Sequence, residues 1–172
     1  MQHRVGRGAK NGSRYSSSMG VEIERKFLVR DRGVLDGAEG VPYRQGYLST
    51  DPDRTVRVRR AGEHGYITVK GRSTGASRAE FEYEIPVADV DAMLALCIPP
   101  VIEKVRHRID HSGRVWEVDV FSGANEGLVV AEVELPSEDV EVDLPSWIGD
   151  EVTDDPRYFN ASLVAHPFRD WR

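Results

Sequence analysis

Hydrophobic and charged residues alternate one by one in stretch after stretch of this chain, the period of strands whose two faces meet different surroundings. From Val21 to Val29 the residues Glu22, Glu24 and Lys26 share one face. Val21, Ile23, Phe27 and Val29 share the other, with Arg25 the one charge among them. Tyr43 to Leu48 reads as a second strand, closed by the turn Ser49-Thr50-Asp51-Pro52-Asp53. Arg54 to Arg60 sets Thr55, Arg57 and Arg59 against Val56 and Val58, and Tyr66 to Lys70 follows across a glycine-bearing hairpin. In Glu80 to Ile85, three acids face away from Phe81, Tyr83 and Ile85. Val101 to Asp110 brings Lys104, Arg106 and Arg108 together. Val115 to Phe121 sets Glu117 and Asp119 against Trp116, Val118 and Val120. Leu128 to Leu135 sets Glu132 and Glu134 against Val129, Ala131, Val133 and Leu135.

Helical spacing is confined to a few places. Val90, Met93, Leu94 and Cys97 predict a helix over Val87 to Ile98, stopped by Pro99-Pro100. Short helices are predicted around Ser146 to Ile148 and from Arg157 to Ala165, and Asp31 to Glu39 reads as a loop or short turn. About eight strands at hairpin spacing with helices inserted late predict a mainly β (α+β) antiparallel domain. No solenoid repeat is present.

Composition narrows the class. At 172 residues the chain suits one domain with a real core, taken here as 19–172. Residues 1–18 carry Arg4, Arg7, Lys10 and Arg14 and no acid. They have no periodicity, and read as a disordered basic leader or extension with Met19 as the natural start. Everything after Ser18 is therefore more acidic than the whole-chain net charge of −6, which does not suit a general nucleic-acid binder. No apolar run is long enough to cross a bilayer or to form a signal-peptide core. Cys97 is the single cysteine, so no intramolecular disulfide can form. A cytoplasmic setting is expected, with Cys97 buried and inert.

Alternation alone does not decide what the charged faces do, because an antiparallel sheet with one solvated face alternates in the same way. Two details point elsewhere. The polar faces are almost wholly ionic, and they are sorted by strand: acids at Glu80/Glu82/Glu84, Glu117/Asp119 and Glu132/Glu134, bases at Arg57/Arg59 and Lys104/Arg106/Arg108. Like charges on one strand face repel unless something of opposite sign sits among them. A closed eight-stranded barrel with these faces inward would explain the sorting. Such an interior needs water, cations and a polyanion to offset its desolvation. Carboxylates would take Mg²⁺ or Mn²⁺, and the arginines and lysines would take phosphates. Together they describe a site for a metal-complexed polyphosphate.

The same residues resemble a known family. Glu22-Ile23-Glu24-Arg25-Lys26 is similar to the ExExK signature of the CYTH superfamily, the triphosphate tunnel metalloenzymes. The likeness continues in order through Tyr43-Arg44-Gln45-Gly46-Tyr47-Leu48, Val56-Arg57-Val58-Arg59, Thr68-Val69-Lys70-Gly71 and Phe81-Glu82-Tyr83-Glu84. It extends through Ile102-Glu103-Lys104-Val105-Arg106, Trp116 to Phe121, Ala131 to Leu135, and Glu151-Val152-Thr153 with Arg157 to Asn160. The resemblance implies a closed eight-stranded antiparallel barrel with a few flanking helices, a triphosphate substrate, and dependence on Mg²⁺ or Mn²⁺. By position it implies a metal set of Glu22, Glu24, Asp119, Glu132 and Glu134. It implies phosphate ligands at Lys26, Arg57, Arg59, Lys70, Lys104 and Arg106, with Glu22, Glu24, Lys26, Glu132 and Glu134 at the reaction centre. Glu82 and Glu84 match further acids of the interior. Arg108 and Glu117 lie toward strand ends, where a rim salt bridge is the competing role. Glu80 and Arg25 read as structural.

The activity implied is cleavage of tripolyphosphate to pyrophosphate and phosphate. In that chemistry cations neutralise charge and the protein's work is positioning. The partner expected is a small polyanion, with neither nucleic acid nor membrane, and a homodimer is left open. Hydrolysis of thiamine or nucleoside triphosphates, adenylate cyclase activity of the CyaB type, and a non-catalytic polyphosphate-binding module are the competing readings. The five histidines show no metal-ligand spacing.

Overall fold

The computed structural model describes residues 23–74, 77–137 and 139–171. Glu22 and the leader over residues 1–18 lie outside them, so neither expectation is placed by the structure. The strands are β1 (Ile23–Val29), β2 (Gly40–Ser49), β3 (Arg54–Ala61), β4 (His64–Thr74), β5 (Ser77–Ile85), β6 (Ile98–His111), β7 (Arg114–Ser122), β8 (Val129–Leu135) and β9 (Ile148–Glu151). They form one antiparallel sheet in the order β5-β4-β3-β2-β6-β7-β8-β1-β9.

This corrects the expectation of a closed eight-stranded barrel. Among the described residues the sheet has nine strands, and its end strands β5 and β9 do not pair with each other. The added strand explains part of the difference. Residues around Ser146 to Ile148 were expected to be helical. Instead Ile148 pairs with Val29 and Glu151 with Phe27, while the Trp147 carbonyl accepts from the Arg30 amide at 2.8 Å. The backbone groups along the outer edge of β1 need partners, and this segment supplies them.

The open sheet is nonetheless curled. Tyr47 of β2 and Lys26 of β1 are separated in the strand order by β6, β7 and β8. Yet Tyr47 packs in one buried apolar cluster with Leu163, and Leu28 of β1 packs against the same cluster. A sheet bent toward itself brings these strands to one cluster.

The outer face carries two apolar layers. Phe27, Trp116, Val118, Ala131 and Val133 are buried there with Trp147 and Ile148, and Val34, Leu35, Val140 and Val142 pack against them. The helix α1 (Val87–Leu94) lays Val90 and Leu94 over Val58 on the same side. It is shorter than expected, because β6 already begins at Ile98 and carries Pro99 and Pro100 as its opening residues, a strand position that tolerates proline. Its approach is close: a Cβ at Gly65 would meet Val90 Cγ2 at 2.5 Å, and one at Gly46 would meet Cys97 Cβ at 2.6 Å. Cys97 itself is half-buried, its thiol pushed up by burial and bonded to the Met93 carbonyl.

The second helix does something the sequence did not suggest. Arg157 to Ala165 resolves into a 3-10 turn (Pro156–Tyr158) and the short α2 (Ser162–Ala165). Leu163 and Val164 of α2 pack with Tyr47, Ile102, Phe121 and Val130, and Leu28 joins them. Strand parity places these partners on the inner face of the sheet. One end of the concave face is therefore apolar and filled by α2, and the charged residues occupy the remainder.

Candidate active site on the charged inner face

The register shows that the charged stretches form one continuous face. Paired residues of an antiparallel ladder point to the same side. The pairs run Lys70↔Glu80, Thr68↔Glu82 and Tyr66↔Glu84 on β4 and β5, then Arg57↔Thr68 and Arg59↔Tyr66 on β3 and β4. Gln45↔Arg59 and Tyr43↔Lys104 carry the face across β2 to β6. Arg106↔Asp119, Arg108↔Glu117, Glu117↔Glu132, Lys26↔Glu132 and Glu24↔Glu134 complete it on β6, β7, β8 and β1. Every described residue expected at the site lies on this face.

One half of the face is a dense ionic cluster. Lys26 Nζ lies 2.8 Å from Glu132 Oε1 and 3.6 Å from Glu24 Oε1. Asp119, 1% exposed, takes Lys104 Nζ at 2.5 Å and the Arg106 guanidinium through Nε and Nη2, each at 2.7 Å. Arg106 also reaches Glu132 at 3.1 Å and makes a short contact with Glu117. Burial opposes the Lys26 charge, but Glu132 and Glu24 outweigh it and raise its pKa. Burial lowers that of Lys104, with Arg106 adding repulsion against the partial support of Asp119. Burial works against ionised Glu132 too, but Lys26, Lys104 and Arg106 together hold its pKa down to about 2. The carboxylate is thus charged at any physiological pH.

The other half is a smaller cluster. Glu82 accepts from Arg57 Nη2 and Arg59 Nη2 at 3.2 Å and from Thr68 Oγ1 at 2.7 Å. Lys70 Nζ lies 2.7 Å from Glu80, and Glu84 meets His64 at 2.9 Å, both side chains being exposed. The Nε atoms of both Arg57 and Arg59 are buried with no hydrogen-bond partner. Such donors are costly to bury unsatisfied, and two side by side on a cationic face suit an anion.

Glu24 and Glu134 occupy directly opposite ladder positions. Two like charges so placed destabilise a sheet unless a cation joins them. Their hard oxygen donors fit Mg²⁺ or Mn²⁺. Among the described residues no three His, Cys, Asp or Glu side chains gather as a ligand set, and Glu22, the remaining expected ligand, lies outside those residues.

Some neighbours escaped the sequence reading because they carry no charge. Tyr43 presents its ring to Arg106 at 5.2 Å, Arg59 at 5.6 Å and Lys104 at 5.9 Å, so it joins the two clusters by cation–π contact. Thr68 and Gln45 are buried polar groups of the same face. Their place on the inner face was readable from parity alone. Arg25, read as structural, pairs with Glu151 at 2.6 Å.

The chain is similar to known proteins over most of its length. The CYTH domain family model matches residues 20–167. An inorganic triphosphatase of Acetivibrio thermocellus is 53% identical over 155 residues, 90% of this chain and 99% of that protein. An inorganic triphosphatase of Nitrosomonas europaea is 40% identical over 148 residues, 83% of this chain and 96% of that protein. A crystal structure of an inorganic triphosphatase superposes with a TM-score of 0.65 at 37% identity, covering 85% of this chain and 95% of the other. The chain belongs to the CYTH domain family.

Proposed function

We propose that the inner face binds inorganic triphosphate and hydrolyses it to pyrophosphate and phosphate. The observation that carries this reading is the pair of buried, unpartnered Nε donors of Arg57 and Arg59, on the same face as Lys26, Lys104 and Arg106. The name carried by two relatives that match most of the chain supports it.

In this reading Arg57, Arg59 and Lys70 hold phosphate oxygens on the β3–β4 side, and Lys104 and Arg106 hold them on the β6 side. Asp119 (expected among the metal ligands) ties Lys104 and Arg106 in place through its three contacts. Lys26, flanked by Glu24 and Glu132, stands where the metal side meets the phosphate side and holds charge that develops in the transition state. Glu24, Glu134 and Glu132, with Glu22, would hold Mg²⁺ or Mn²⁺, which supplies charge neutralisation at the phosphate oxygens. Glu132 stays ionised throughout and orients Lys26 and Arg106. No nucleophilic side chain is required, because water is the acceptor.

The test is a substrate panel of tripolyphosphate, ATP and thiamine triphosphate with Mg²⁺, Mn²⁺ and chelator. Fastest turnover of tripolyphosphate, lost with chelator, is expected. Preference for an organic triphosphate, or formation of cyclic AMP from ATP, would overturn the reading.

A further inference from the structure

On the end strand β5, three acids meet four basic side chains of β3 and β4, and one of the acids stands apart. Glu80 takes Lys70 and Glu84 takes His64. Glu82 alone bridges two arginines, Arg57 and Arg59, with Thr68 fixing one of its oxygens at 2.7 Å. Its carboxylate reaches both arginines only through Nη2 and leaves both Nε atoms buried and unpartnered. A tetrahedral phosphate has more acceptor oxygens than a carboxylate and could satisfy those donors as well.

We infer that Glu82 is a resident anion that competes with phosphate for Arg57 and Arg59, and so sets a charge threshold for the ligand. An incoming anion loses the Glu82 contacts and meets the Glu82 charge. A triphosphate offsets this through further contacts at Lys26, Lys104 and Arg106. Orthophosphate and pyrophosphate span fewer of those groups and carry less charge, so they are held weakly. Selectivity of this kind comes from a built-in repulsive element. The same competition weakens the hold on the pyrophosphate product and favours its release.

The inference rests on the triphosphate reading, and one pair of measurements separates their failures. Turnover of tripolyphosphate by the wild-type chain tests the reading. Calorimetric binding of pyrophosphate to metal-free protein tests the inference and needs no turnover. Glu82→Gln should bind pyrophosphate about tenfold more tightly than wild type, the scale expected when one like-charge contact is removed. Thr68→Val, which leaves net charge unchanged but removes the hydroxyl that fixes Glu82 Oε2, should move binding in the same direction by a smaller factor. The Mg²⁺ concentration giving half-maximal turnover should stay within twofold for Glu82→Gln. Unchanged or weaker pyrophosphate binding in both variants would overturn the inference. So would a severalfold rise in the Mg²⁺ requirement of Glu82→Gln, which would place Glu82 on a cation instead.

Discussion

Lys104 and Asp119 form an ion pair of 2.5 Å that is almost sealed from solvent, with side chains 2% and 1% exposed. Arg106 closes the remaining side of the carboxylate. A buried pair contributes little over apolar packing, but removing one partner leaves an uncompensated charge. Asp119→Asn removes the ion-pair partner of Lys104 and leaves Arg106 with Glu117 and Glu132. It should cost about 3–5 kcal/mol of stability, read as a lowered urea midpoint. Tripolyphosphate in the buffer should restore part of the loss, because it replaces the missing negative charge.

Glu132 gives a pH signature. Its folded-state pKa of about 2 lies below the ordinary carboxylate value of 4.5. A depressed carboxylate contributes stability that is fully present above its unfolded pKa and is lost as pH falls through the folded one. Metal-free protein should therefore lose stability between about pH 4.5 and 2 as Glu132 takes up a proton. Glu132→Gln should remove that part of the slope, leaving a shallower urea-midpoint profile over the same window.

Glu134 should separate function from stability. It faces Glu24 across the ladder, so neutralising it relieves repulsion in metal-free protein. Glu134→Gln should leave metal-free stability unchanged or raise it by about 0.5 kcal/mol. Turnover should nevertheless fall by about 10²-fold or more, the usual scale for losing a ligand or its support at a metal site. Thermal melts without metal, paired with phosphate-release assays, check both halves.

The apolar end of the inner face predicts a different phenotype. Leu163 is fully buried among Tyr47, Ile102, Phe121 and Val130. Leu163→Ala should cost about 2–5 kcal/mol, seen as a lower melting temperature. Turnover well below the melting temperature should be retained, because no charged group of the site is removed.

Much of this was legible in the sequence because a period of two is unambiguous. The faces read for Glu24/Lys26, Arg57/Arg59, Lys104/Arg106 and Glu132/Glu134 are the faces the register gives. What alternation cannot carry is closure and edges. The strand Ile148–Glu151 is four residues long, too short to show a period, and it exists because the edge of β1 needs partners. The filling role of α2 was equally hidden, since a four-residue helix shows no stripe and its apolar partners Leu28, Val130, Phe121 and Ile102 each look like strand ends. Pairing was the third gap. The sequence sorts acids and bases by strand, but only the register shows that Asp119 meets Lys104 and Arg106 and that Glu82 meets Arg57 and Arg59.

The central claim is a division of labour on one face, with bases for the phosphates and carboxylates for the cation. The most direct measurement combines tripolyphosphate turnover with calorimetric tripolyphosphate binding for the double variant Glu132→Ala with Glu134→Ala. The account predicts that turnover is abolished while binding to Arg57, Arg59, Lys104 and Arg106 is retained. Turnover at the wild-type rate, or loss of binding along with turnover in a folded protein, would contradict it.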